Sequence, residues 1–328
     1  MTRQRGAALL TAMVIVALVA TLASAMIWQQ WRAVQVEAAE RGRIQAQWIL
    51  VGAVDWARLI LREDARSNAN KKIDHLGEPW ATPLAEAKLS SFLAADRNNT
   101  DDGIEAFLSG GISDATARYN LRNLIESDPK LAAAQVKILA RLLESVGADP
   151  SLAPKLSASL LRALPPPPTV PNGAREVDIP TPTVDPRAPL EPVRLEQMRW
   201  LGIDAATLAK LEPYVTWLPV KTKVNLNTAP REVLAAVIEG MDLGSADRLV
   251  SARQTNPFES FAAVTSLLPG VVPDPERVDV KSDFFEVTGR LRLGERLVEQ
   301  RAWVQRKGID VIAFAVERRA AIEKPEQR

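Results

Sequence analysis

Apolar residues run uninterrupted by charge from Ala7 to Ile27, directly behind a basic start, Arg3-Gln4-Arg5-Gly6, and charge returns only at Arg32. About 20 such residues let a helix cross a hydrocarbon core, so the run predicts a membrane-spanning helix. The arginines ahead of it hold the N-terminus on the cytoplasmic side and put the rest of the chain on the far side. Helical character continues beyond the lipid. From Ala7 to about Arg62 there is no proline, and Gly42 and Gly52 are the only glycines. Trp28, Trp31, Val34 and Ala38, then Ile44, Trp48, Gly52, Trp56 and Leu59, recur at three-to-four spacing. That period predicts an amphipathic continuation whose single apolar stripe packs on a globular head. Trp28 and Trp31 fall where the helix leaves the lipid, the depth at which amphipathic rings settle.

Three kinds of processing fit this start. A secretory signal peptide with the small-residue exit Ala23-Ser24-Ala25 leaves a soluble protein beginning at Met26. An uncleaved signal anchor keeps everything. A prepilin-type leader ends at Gly6, is cut before Ala7, and leaves the whole apolar helix on the mature protein. Two features favour the third: the basic segment stops at a glycine abutting the apolar run, and helix-compatible sequence continues well past Ala25.

Farther along, breakers divide the chain. Pro79 and Pro83 bracket Trp80, and Asp96 to Gly103 reads as a polar loop. Phe107-Leu108-Ser109-Gly110-Gly111-Ile112 reads as a strand and turn. Helices are predicted from Pro129 to Leu143, from Leu152 to Leu164 and from Leu195 to Leu211. Between them the proline-dense stretch 165–192 is extended and a poor core former. Phe284 to Val304 alternates as strands, Val311 to Val316 adds another apolar run, and a charged tail follows.

Two short stretches echo one another: Tyr119-Asn120-Leu121-Arg122-Asn123-Leu124 and Val224-Asn225-Leu226-Asn227-Thr228-Ala229-Pro230. Each is an extended element running into a helix. Asn and Thr oxygens suit helix N-caps, and proline is tolerated in a first turn. We therefore read both as capping and turn chemistry that positions two helical units. The second, with Gly240-Met241-Asp242-Leu243-Gly244 and Asn256-Pro257-Phe258 behind it, is similar to a helix-hairpin-helix module, which presents backbone N–H groups to DNA phosphate. Asp242 and Asp247 stand where phosphate would approach, and no excess of Lys or Arg surrounds them, so a protein-contact module is favoured.

Composition narrows the chemistry. Lys and Arg total 41 and Asp and Glu 40 in 328 residues, so no global charge calls for nucleic acid or acidic lipid. The absence of cysteine excludes disulfides and thiolate metal sites. The single histidine, His75, lies in Asp74-His75-Leu76-Gly77 and reads as a solvent-exposed loop residue. No G-x-S-x-G elbow and no phosphate-binding glycine loop accompanies it. A secreted hydrolase therefore lacks a recognisable nucleophile–base pair, and no catalytic residue is assigned.

The leader Arg5-Gly6 before Ala7, the long helix, Ser113-Asp114 leading to Arg118-Tyr119-Asn120-Leu121, and Val224 to Pro230 resemble, in that order, the type II secretion system minor pseudopilin K family (general secretion pathway protein K). The resemblance covers nearly the whole chain. It implies an α+β fold: a pilin-like N-terminal long helix and small antiparallel sheet, interrupted by a large all-α insert of helix-hairpin-helix/SAM-like units. It divides the chain into a leader (1–6), a transmembrane and amphipathic helix (7–62), a first part of the head (63–123), the insert (124–273) and C-terminal strands and tail (274–328).

The implied function is that of a non-enzymatic subunit at the tip of the secretion pseudopilus, which starts or caps assembly for export of folded proteins. The implied partners are the I-type and J-type minor pseudopilins, other pseudopilins, the prepilin peptidase that cuts between Gly6 and Ala7, and the inner-membrane secretion platform. Nucleic acid is not expected. The implied location is the inner membrane, single-pass, with the N-terminus cytoplasmic and the bulk periplasmic. Trp28, Trp31, Ile44, Trp48 and Trp56 are the expected helix-packing residues toward those partners. Mature position five is Thr11, where most pilin-like subunits carry glutamate; the K member resembles this exception. Calcium is described for some members, and Asp96, Asn98, Asp101 and Asp102 are the oxygen ligands on offer, although their spacing is not that of an EF-hand and a solvated acidic loop is the simpler reading. The sequence also departs at Gly173-Ala174-Arg175-Glu176, where the family carries a more acidic stretch. A membrane-anchored helix-hairpin-helix DNA-binding protein of the competence type is the alternative.

Overall fold

The computed structural model describes residues 5–67, 73–89, 106–165, 186–268, 270–294 and 296–321. One helix, α1, runs from Arg5 to Ser67. At 1.5 Å per residue it is about 95 Å long. Its residues up to Ala38 stand clear of the rest of the described protein, the Arg296 side chain meets it at the Ala39 carbonyl, and its last twenty residues lie on a sheet.

That sheet has five antiparallel strands in the order β1-β2-β7-β8-β9. They are β1 (Leu84–Lys88), β2 (Ala106–Asp114), β7 (Phe284–Leu293), β8 (Arg296–Lys307) and β9 (Asp310–Ala321). Strands β2 and β7 are neighbours at its centre though some 170 residues separate them; Ile112 pairs with Val287 and Asp114 with Phe285. The chain leaves the head from one central strand and returns on the next. The Gly110-Gly111 pair, expected to end in a turn, instead continues β2. Gly110 lies opposite Gly289 of β7, and a Cβ on Gly110 would sit 2.2 Å from the Thr288 carbonyl oxygen. A Cβ on Gly289 would approach Leu50 of α1 to 3.2 Å. The glycines flatten the strip of sheet on which α1 rests.

The face of α1 that packs there is not the expected tryptophan stripe. Ala46, Leu50, Val54, Ala57 and Leu61 are buried against Leu108, Phe285, Val287, Leu291, Ala302 and Val304. Ile44, Trp48, Trp56 and Leu59 are exposed, Trp48 at 70% against 1% for Leu50. Residues two apart in a helix are about 200° apart around its axis, so Trp48 and Leu50 face opposite ways. Small alanines win the sheet side because they bring the helix axis close to the glycine strip, which an indole would hold away.

Between β2 and β7 the chain builds the helical unit: β3 (Tyr119–Asn120), α2 (Pro129–Ser145), α3 (Leu152–Ala163), α4 (Ala205–Leu211), β4 (Val215–Thr216), β5 (Val224–Asn225), α5 (Arg231–Val237), α6 (Leu243–Thr255), α7 (Phe261–Leu267) and β6 (Val278–Asp279). Leu139, Leu142, Leu143, Leu156, Leu160, Leu211, Val233, Leu234 and Leu249 share one core. The helix expected from Leu195 to Leu211 is two pieces: a 3₁₀ turn over Leu195–Leu201 stops at Gly202 (φ 101°), and α4 restarts from Asp204, whose carboxylate accepts from the Ala206 and Thr207 N–H groups. The left-handed backbone at Gly202 breaks the run. The echoed pair forms two small parallel ladders, β3 with β4 and β5 with β6.

The helical unit also touches the sheet face opposite α1. Leu218 packs with Ala115, Phe284 and Trp303 there.

Candidate functional site: an exposed helix face and a polar junction

Among the described residues no catalytic constellation stands out. Two other features do: a long helix with an unburied apolar surface, and a buried polar junction fixing the helical unit to the head.

Along α1 the expected partner-facing residues, Trp28, Trp31, Ile44, Trp48 and Trp56, are all solvent-exposed. The uncharged span behind Arg5 is exposed along its whole length, so nothing in the described head competes for it. Thr11 sits on this exposed span, and its hydroxyl donates to the Ala7 and Ala8 carbonyl oxygens at 3.1 and 3.0 Å. A hydroxyl satisfied within its own helix costs little in lipid, unlike a carboxylate.

The junction begins with the echoed asparagines. Asn120 Oδ1 accepts from the Arg122 N–H and Asn225 Oδ1 from the Asn227 N–H, which is the expected cap chemistry. Their amide nitrogens do more. Asn120 Nδ2 donates to the Val220 carbonyl at 2.7 Å, tying β3 to the β4–β5 link. Asn225 Nδ2 donates to the Asp74 carbonyl (3.0 Å), Asp114 Oδ2 (3.1 Å) and Ser282 Oγ (2.8 Å), joining β5 to three segments of the head. Asp114, at the end of β2, also accepts from the Thr116 N–H, from the Thr116 and Thr228 hydroxyls and, over a short contact, from the Ser282 hydroxyl. A carboxylate that saturated with donors is an anchor.

Beside it lies a cluster the sequence did not reveal. Carboxylate oxygens of Asp64, Asp74 and Glu78 come within 4.8 Å of one another, all buried. Arg306 of β8 reaches into the cluster: Nη1 donates to Asp64 Oδ2 at 2.7 Å, and Nη2 to Asp74 Oδ1 and the Ser282 carbonyl. Glu78 Oε2 accepts from Trp80 Nε1 (2.6 Å) and the His75 N–H (3.0 Å). Burial pushes the Asp74 carboxyl up to about 6 in spite of Arg306, and burial with the nearby Glu78 charge raises Asp64 as well. Because a guanidinium and an indole N–H already engage these oxygens, the cluster does not fit calcium, which takes six to eight oxygens. The acidic loop Asp96, Asn98, Asp101 and Asp102 lies outside the described residues. His75, expected to be exposed, is half-buried, and its Nδ1 accepts from the Gly77 N–H.

The hairpin after α5 also differs from a phosphate site. Asp242 is the N-cap of α6, accepting from the Ser245 N–H at 2.6 Å, and Asp247 pairs with Arg231 at 3.1 Å. Arg253 of α6 points inward and donates to the Leu226 carbonyl; burial lowers it to about 10. Of the cations near the hairpin, Arg253 is spent on internal structure and Arg231 is matched by Asp247 at the surface.

Comparison with known proteins agrees with this architecture. Residues 117–220 and 224–281 match two family models, both described as type II secretion system protein K. The type II secretion system protein K of Pseudomonas aeruginosa is 30% identical over 301 residues, 89% of this chain and 86% of that protein. The protein K of Klebsiella pneumoniae is 31% identical over 327 residues, covering 93% and 94%. Among solved structures, a chain of the GspK–GspI–GspJ complex from the enterotoxigenic Escherichia coli type 2 secretion system superposes with a TM-score of 0.61 at 19% identity, over 86% of this chain and 99% of that one, a likeness of fold. With the exposed helix, the interrupted head and relatives matched over nearly their whole length, this chain belongs to the type II secretion system protein K family.

Proposed function

We propose that the chain is a minor pseudopilin that keeps its apolar helix after maturation and uses it to enter the tip of a secretion pseudopilus. The observation that carries this is the division of labour on α1. Alanines and Leu50 hold the head, and Trp48 on the opposite side and Trp56 on the flank stay exposed. Exposed large apolar side chains in a row mark a contact surface. Prepilin peptidase cuts between Gly6 and Ala7, making Thr11 position five. The helix rests in the inner membrane as a single span, N-terminus cytoplasmic and head periplasmic, until assembly moves it. Residues 7–62 are the pilin helix, 63–123 and 274–328 the head, and 124–273 the insert.

The I-type and J-type pseudopilins are the proposed neighbours, after the partners named with the fold relative. They pack along Trp28, Trp31, Ile44, Trp48 and Trp56. Thr11 lacks the charge to pair with the terminal amine of another subunit, which suits a position with no subunit above it. The bulk of the insert acts sterically in the same direction, capping the fibre and helping to start it. The role is structural, without catalysis or nucleic-acid binding.

Co-expression of the full chain with its I-type and J-type partners tests this reading. Trp48→Arg and Trp56→Asp are expected to cut recovery of the complex while leaving the free chain's melting temperature unchanged. Recovery at the wild-type yield by both variants overturns the assignment.

A further inference from the structure

The two edges of the head sheet differ. On one side β1 has five residues and pairs irregularly with β2. On the other, β9 has twelve residues and, among the described residues, no strand beyond it. An edge strand offers a row of unpaired N–H and C=O groups. At the start of β9 this row is closed by α1: Arg58 Nε donates to the Val311 carbonyl at 2.8 Å, and Arg62 Nε to the Ile309 carbonyl at 3.3 Å. Those bonds also orient the strand. Val311 turns its backbone groups away from β8, and by the two-residue period of a strand so does Ala313. From Ala313 onward, no described residue outside β8 hydrogen-bonds the backbone of β9.

Beside this open stretch is a cleft of about 430 Å³ between the sheet and the insert. Such a volume is within the range of ligand-binding clefts. Glu286 of β7, Arg301 and Trp303 of β8 and four consecutive residues of β9, Phe314 to Glu317, line it, so the cleft crosses the sheet face and reaches the outermost strand. Phe314 is the extra residue where the β8–β9 register slips between Trp303 and Val304, and a bulge of this kind re-aims a side chain. Here Phe314 lines the cleft together with Trp303 and Trp217, its ring edge-on to Phe284 at 5.8 Å, and Val193 is exposed beside it. The charged rim is internally matched: Arg194 pairs with Glu317, Arg319 with Glu196, and Arg122 stacks over Trp217 at 4.6 Å. No net charge is left over for an ionic ligand. An aromatic slot, a neutralised rim and an open main-chain edge suit an extended polypeptide with one bulky apolar side chain, recognised by strand addition.

We propose that β9 from Ala313 onward accepts a β-strand from the head of a partner pseudopilin, one apolar side chain of which enters the Trp217–Trp303–Phe314 cleft. This rests on the reading that the chain assembles with partners along α1. The choice of partner follows from continuity between the two surfaces. Arg58 and Arg62 belong to α1, lie beside the exposed Ile44, Trp48 and Leu59 around the helix, and terminate on β9, so this side of the helix runs into the strand edge. A neighbour of the same body plan laid alongside α1 carries its own sheet close to the plane of this one, edge toward edge.

Hydrogen exchange on the full chain in detergent, alone and with its I-type and J-type partners, tests the proposal. Amides from Ala313 to Arg318 are expected to exchange at least tenfold more slowly in the complex. Ala313→Pro removes one outward donor and keeps the pairing with β8, and is expected to lower complex recovery several-fold. A complex that forms with β9 exchange unchanged overturns strand addition and leaves assembly along α1 standing; failure to form any complex overturns the reading beneath it. The wild-type exchange experiment decides the matter even where proline disturbs the strand.

Discussion

Replacing Asp74 by asparagine isolates the energetic cost of the buried junction. The Asp74 carboxylate accepts from Arg306 Nη2 and from the Ser282 N–H at 2.7 Å, and faces the carboxylates of Asp64, Glu78 and Asp114, with His75 next along the chain. Burial dominates, raising it from 3.8 to about 6. A raised carboxyl means that the folded protein binds this proton more tightly than the unfolded chain does. Its ionised form is a burden above pH 6, and the burden lifts as pH falls from about 6 toward 3.8. The full shift is worth ~3 kcal/mol, of which about 1.4 kcal/mol is recovered between about pH 7.5 and about pH 5. Asparagine cannot titrate, so the variant lacks this gain, while Asp64 and the exposed carboxylates contribute alike to both proteins. The assay is urea unfolding of the full chain in detergent at a series of pH values, followed through tryptophan emission; Trp80 lies within the junction. The wild type is expected to gain stability relative to Asp74→Asn by about 1.4 kcal/mol over that range. A parallel pH dependence for the two proteins, or a relative loss by the wild type, refutes the reasoning and means that Arg306 outweighs burial.

Other perturbations separate holding the head from meeting partners. Leu50→Ala empties a fully buried site under α1 and is expected to cost about 2–5 kcal/mol in the same unfolding assay. Asn225→Ala leaves Asp114, Ser282 and the Asp74 carbonyl each short of a donor, and a loss of about 3 kcal/mol is expected; a loss under about 0.5 kcal/mol contradicts the clamp. Asp242→Ala removes only the α6 cap, and about 1 kcal/mol is expected, with no change in DNA affinity by gel shift at low salt. Thr11→Glu leaves the fold untouched and is expected to impair tip assembly, read as pseudopilus yield; an unchanged yield means position five carries no information in this subunit.

Much of this architecture is legible along the chain, and the exceptions share a cause. The spanning helix, the late strands and the helices starting at Pro129 and Leu152 announce themselves because each has its own period and its own breakers. The face of α1 does not. Two apolar stripes wind around the same helix, and hydrophobicity alone favours the one bearing Trp48 and Trp56. Contact instead goes to the stripe of Ala46, Leu50, Val54 and Ala57, where Leu50 and its neighbour Ala53 can settle because Gly289 lies beneath the helix. Gly110 and Gly111 read as a turn for the same reason: their role is set by a strand some 170 residues away. The junction was visible only as two capping asparagines. That Asn225 also reaches Asp74, Asp114 and Ser282 depends on long-range pairing, as does the grip of Arg306 on Asp64 and Asp74. Local capping can be read from spacing; a buried network gathered from α1, β2, β5 and β8 cannot.

The central claim is that the mature protein retains its apolar stem. Intact-mass analysis of the protein extracted from membranes tests it most directly. An N-terminus at Ala7, with or without a methyl group, is the outcome this account requires. A mature chain beginning at Met26 and recovered in the soluble periplasmic fraction contradicts it.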